Sequence, residues 1–85
     1  MSKNIVWPPP PNNVGIIVDE VLEELERATE KFGPFNNTHD GYAVILEELD
    51  ELWDEVKKNS PERACEEAIQ VAAMAMRFVY DLRKR

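Results

Sequence analysis

Four glutamates carry most of the chemistry this chain offers. Glu47, Glu48 and Glu51 lie in the run Val44-Ile45-Leu46-Glu47-Glu48-Leu49-Asp50-Glu51-Leu52-Trp53-Asp54-Glu55, and Glu67 follows Glu51 after fifteen intervening residues. On a helix of about 100° per residue, Glu48, Glu51 and Glu55 share one flank, with Glu48 at the margin between the apolar stripe and solvent. Glu48 and Glu51 are one turn apart, close enough for both carboxylates to meet a single cation. Hard divalent cations take oxygen ligands, and carboxylates on facing helices are a known way to build such a site. A plainer reading fits the same residues. Glutamate is a good helix former, and acidic solvent faces are ordinary. Metal site and solvated face both stand at this point. Cys65 and His39 are the only residues of their types; Cys65 is expected as a small buried hydrophobe and His39 as a helix-start residue, not as a nucleophile pair.

Three helices must position these acids. Val14, Ile17, Val18, Val21, Leu22, Leu25, Ala28 and Phe32 fall at steps of three and four, with Asp19, Glu20, Glu23, Glu24, Glu26 and Glu30 as a solvated face. Gly33-Pro34 ends this first helix, the Gly by a left-handed cap, and Asn37 or Thr38 caps the next. The second helix runs from about His39 to Lys58 on the core stripe Tyr42, Ile45, Leu46, Leu49, Leu52, Trp53 and Val56. Ser60-Pro61-Glu62 starts a third helix that extends to about Leu82. Its stretch from Ala68 to Val79 is apolar apart from Gln70 and Arg77. A helix apolar nearly all round needs cover on most sides, and two companions from the same chain are too few. The third helix is therefore expected against another subunit, with Gln70 as a hydrogen-bonded polar residue at that contact. If the second and third helices form an antiparallel hairpin, Glu48, Glu51 and Glu67 converge.

Composition sets the outer limits. The chain has 85 residues, 17 acidic and 10 basic, for a net charge of −7. That length gives one small domain, all-α, over residues 14–85. The acidic balance excludes a nucleic-acid backbone or an anionic membrane as partner. No stretch reaches the roughly 18 apolar residues of a spanning helix. A lone cysteine and the absence of a leader pattern place the chain in the cytoplasm. Residues 1–13, with Pro8 to Pro11 in a row, form an extended proline-rich arm.

Glu47-Glu48-x-x-Glu51, then Glu67-x-x-Gln70 on an alanine-rich helix, resembles the MazG-type all-α nucleoside triphosphate pyrophosphohydrolases, whose pattern is Glu-Glu-x-x-Glu on one helix and Glu-x-x-Asp on the next. The Phe32-Gly33-Pro34-Phe35 turn and Tyr42-Ala43-Val44-Ile45-Leu46 fit the same family, and the resemblance spans residues 14–82. It implies hydrolysis of an NTP or dNTP between the α- and β-phosphates, giving monophosphate and pyrophosphate. It implies Mg²⁺ (or Mn²⁺) on Glu48, Glu51 and Glu67, with a fourth ligand at position 70. It also implies a homo-dimer or homo-tetramer in which three-helix protomers form intersubunit four-helix bundles. Glu47 is the position left for a general base, or a support for the ligands. Arg63 and Arg77 share the stripe of Glu67 and, with Lys57, are the candidate phosphate contacts. Position 70 departs from the pattern: Gln70 offers one neutral oxygen where the family has a carboxylate, which weakens a divalent site. The alternative is a non-catalytic module of the same architecture, binding a protein or a nucleotide, with its metal site degraded at Gln70.

Overall fold

The computed structural model describes residues 14–31 and 33–83. Those residues form three helices, α1 (Val14–Lys31), α2 (Thr38–Lys57) and α3 (Pro61–Arg83), and the fold is all-α. No helix among them is long and apolar enough to cross a membrane. The expected proline arm and Phe32 lie outside the described residues.

Each helix end has a local cause. Asn37 caps α2, its side chain accepting the Asp40 N–H at 2.9 Å, while the Asp40 carboxylate accepts the Asn36 N–H at 3.1 Å. At the other end Asn59 takes φ 56°, the left-handed conformation. The Asn59 N–H donates to Val56 O at 3.0 Å and the Ser60 N–H to Glu55 O at 3.2 Å. This paired closure reverses the chain within three residues and starts α3 at Pro61.

The end of α1 differs from expectation. No glycine among the described residues has a positive φ, so Gly33 is not a left-handed cap. The cap comes from α3 instead. Arg77 Nη1 donates to Ala28 O at 3.1 Å, in the last turn of α1, and Nη2 donates to Gly33 O. Exposed carbonyls at a helix C-terminus need donors, and the planar guanidinium supplies two at once.

α3 is the central helix. α1 and α2 both pack on it and not on each other. The core is Val21, Ala28, Phe35, Ala73 and Met74, with Leu25, Val44, Ile45, Ile69, Ala72, Phe78 and Leu82 packed against it. Ala73 is fully enclosed, so the chain's own helices cover the middle of α3 on two sides. On its other side Met76, Val79 and Tyr80 of α3 stay exposed.

The larger correction concerns α2. Of its expected core stripe only Ile45 and Leu52 are even half-buried, while Tyr42, Leu46, Leu49, Trp53 and Val56 are exposed, Trp53 to 58%. The face turned inward is Gly41, Val44, Ile45, Glu48, Leu52 and Glu55, a helical spacing that includes two glutamates. Gly41 permits this rotation. A Cβ there would lie 2.5 Å from Phe78 Cδ2, so α2 and α3 approach closely only because position 41 has no side chain. Gly41 near the start of α2 meets Phe78 near the end of α3, which makes the pair antiparallel.

Candidate metal and phosphate cleft

Because α1 and α2 meet only through α3, a cleft of about 540 Å³ opens between them. α1 contributes Glu24, Arg27, Ala28 and Lys31; α2 contributes Asp40, Val44, Glu47 and Glu48; α3 contributes Gln70, Met74 and Arg77. Gly33 and Phe35 close one end.

The α2 wall carries the acids. Glu47, Glu48 and Glu51 place one carboxylate oxygen each within 4.8 Å of one another. The helical wheel sends Glu47 away from Glu48, but three side-chain bonds give it the reach to turn back. The rotation of α2 takes Glu48 into the helix seam, where burial pushes its carboxyl up to about 7, with the charges of Glu51, Glu67, Glu47 and Glu24 adding to the effect. Glu67 on α3 is also raised, first by burial and then by Glu51, whose carboxylate shares a hydrogen bond with it, and by Glu55 and Glu66. Such a bond between two carboxyls needs a proton, so it favours the neutral form. Glu48 Oε2, Glu55 Oε1 and Glu67 Oε1 are buried and accept no hydrogen bond. Buried carboxylate oxygens are normally satisfied. Three orphans along one seam form an acceptor-rich, donor-poor strip.

This donor set suits a hard divalent cation, which wants several oxygens and compensates clustered negative charge. Among the described residues the acids close enough to share one cation are Glu47, Glu48 and Glu51; Glu67 is near enough to perturb Glu48 but is not in that group, and of the expected ligands Glu48 and Gln70 line the cleft. Glu55 joins them in the seam, a residue the sequence placed on the same flank but did not select.

The expected phosphate contacts fare differently. Arg77 is only 3% exposed and spans Ala28 O, Gly33 O and, through Nε at 3.2 Å, the Asp81 carboxylate. Asp81 Oδ2 also accepts the Phe35 N–H at 2.9 Å, and the guanidinium stands 5.4 Å from the Phe35 ring centroid. Arg77 is the wall and fastener of the cleft, and its donors are committed to the fold. Lys57 pairs with Asp54 at 3.3 Å and lies 5.8 Å from the exposed Trp53 ring, and Arg63 is exposed; neither lines the cleft. Cys65 is exposed, not buried. His39 is exposed and sits on a shallow, apolar groove of about 570 Å³ with Tyr42, Ile45, Phe78 and Val79.

Besides Arg77, the cations that line the cleft are Arg27 and Lys31 of α1, with Arg27 paired to Glu24. The sequence reading missed all three. Their signal was present: Glu24, Arg27 and Lys31 recur at steps of three and four around Ala28, on the border of the helix's apolar face.

No family model matches this chain, and comparison with curated proteins and with solved structures also returns no match.

Proposed function

We propose that this chain is a Mg²⁺-dependent pyrophosphohydrolase of nucleoside triphosphates, cleaving between the α- and β-phosphates, with Mn²⁺ able to replace Mg²⁺. The observation that carries the reading is the acidic seam: Glu48 and Glu67 each bury an oxygen that accepts no hydrogen bond, and Glu48 clusters with Glu47 and Glu51 at the wall of the cleft. Left to itself, α2 would bury Leu46, Leu49 and Trp53 and turn Glu48 and Glu55 to solvent, because burying an uncompensated carboxylate is costly. The opposite rotation makes sense when a cation completes the acids. Glu48, Glu51 and Glu67 would hold it, and Gln70 would add a neutral oxygen. A divalent cation there supplies charge neutralisation for the phosphates and lowers the pKa of a bound water. Glu47, exposed and in the same cluster, would be the group to take that water's proton.

The same rotation favours a homo-oligomer, dimer or tetramer. Tyr42, Leu46, Leu49, Trp53 and Val56 of α2 and Met76, Val79 and Tyr80 of α3 together expose on the order of 800 Å², about one partner's share of a standard interface. Pairing these faces from two protomers would assemble a four-helix bundle and leave the cleft on the outside. Sedimentation should show a species of at least twice the chain mass, and Trp53→Glu should reduce it to a monomer.

Pyrophosphate release from a panel of NTPs and dNTPs with Mg²⁺ tests the activity. Turnover on at least one substrate, lost in Glu48→Gln, is the expected result; no turnover on any would remove the enzyme reading. The presence of Gln70 in the cleft favours a second reading, a module that binds a nucleotide or protein without hydrolysis. That reading holds if no pyrophosphate is released and divalent cations neither bind nor raise the melting temperature.

A further inference from the structure

The cleft has an acidic wall on α2, with Asp40, Glu47 and Glu48, and faces it with the cations Arg27 and Lys31 on α1, where Glu24 is the one acid and is paired with Arg27. A bare cation would use only the first wall and a bare anion only the second. A ligand that brings both, a polyphosphate with its divalent cation, fits the pair. We propose that Arg27 and Lys31 are the residues that bind the phosphate tail of a metal-bound nucleoside triphosphate, taking the place that sequence position alone gives to Arg77, Arg63 and Lys57. This rests on the pyrophosphohydrolase reading for its substrate class but not for its geometry.

Three features support the assignment. Arg77 is fastened to Ala28 O, Gly33 O and Asp81, so turning it toward a ligand would uncap α1. Arg27 is held differently: its partner Glu24 is three residues away on the same helix, and the Arg27 side chain is 67% exposed. A pair of this kind with an exposed partner contributes little, so Arg27 can exchange Glu24 for phosphate oxygens. Arg27 and Lys31 are also one turn apart, so both reach successive phosphates on one ligand, Arg27 as a planar fork and Lys31 as a point charge. On the opposite wall Glu48 Oε2 accepts no hydrogen bond, so the acids remain available to the metal.

The test is calorimetric binding of inorganic tripolyphosphate in the presence of Mg²⁺, measured on the full chain. Wild type should bind, Arg27→Gln/Lys31→Gln should bind at least tenfold more weakly, and Lys57→Gln should match wild type. The charge-preserving pair Arg27→Lys/Lys31→Arg should recover most of the affinity. Melting temperatures should stay within a few degrees, because both side chains lie on the surface. Wild-type affinity in the glutamine pair, or an equal loss in Lys57→Gln, overturns the assignment, as does absence of binding to wild type. Weakened binding in the glutamine pair without turnover by wild type supports the phosphate wall while the hydrolase reading falls. Turnover with an unchanged KM in the glutamine pair does the reverse.

Discussion

Arg77 and Glu48 line the same cleft and both carry charge toward the interior, yet their surroundings are opposite. Around Arg77 the fold provides two carbonyl oxygens, a carboxylate and an aromatic face. Around Glu48 it provides more acid: Glu51, Glu67, Glu47 and Glu24. A buried charge with every hydrogen bond made rigidifies a structure, and one left among like charges works against it. The first arrangement ties α1 and the connecting segment to α3. The second concentrates negative charge that a proton or an outside cation relieves. The difference separates what holds the protein together from what equips it to bind.

Breaking the satisfied site should have the largest effect. Arg77→Met strands the Asp81 carboxylate and uncaps α1, and chemical denaturation should show a loss of about 3–5 kcal/mol. Asp81→Asn should cost less, because the Phe35 N–H keeps an amide oxygen as acceptor. A double-mutant cycle of the two substitutions measures their coupling.

The seam itself is tested next. Gly41→Ala forces a methyl group against Phe78 and should cost about 1–3 kcal/mol. It should also reduce the rise in melting temperature that Mg²⁺ or Mn²⁺ produces, because α2 carries Glu48 away from Glu67 as it yields.

The acidic site should give the smallest change, and one of opposite sign. The Glu48 carboxyl is raised from 4.5 to about 7 in the folded chain, so between those values the native state binds more protons than the unfolded state. Without metal, stability should therefore fall as pH rises through that window. Glu48→Gln should flatten the slope and gain on the order of 1 kcal/mol at pH 8, where wild type carries the uncompensated charge. A saturating divalent cation should flatten the wild-type slope as well, and thermal melts across pH 5–8 with and without metal check both.

Local signals in the sequence were reliable. The steps of three and four gave the three helices, Asn37 was a recognisable N-cap, and Pro61 marked the first turn of α3, because each of these rests on interactions within a few residues. The Glu-Glu-x-x-Glu spacing likewise brought three acids together, since one helical turn fixes which side chains are neighbours. What stayed hidden depended on which arc of α2 would face α3. Its hydrophobic pattern pointed to Leu46, Leu49 and Trp53, but the bare backbone at Gly41 allows close approach on a different arc, and that arc brings in Glu48 and Glu55.

The sequence by itself thus determined the number, length and ends of the helices and the acidic character of the second. Only the tertiary structure decided that Glu48 and Glu67 would be half-buried, each with an oxygen that no donor reaches, that Arg77 would cap α1 instead of facing solvent, and that Arg27 and Lys31 would stand opposite the acids. The reason is one of range. Helix formation and the caps at Asn37 and Asn59 are settled within about four residues, whereas the end of α1 and the environment of a charged side chain are settled by whatever another helix presents. For Arg77 that partner lies 49 residues away along the chain.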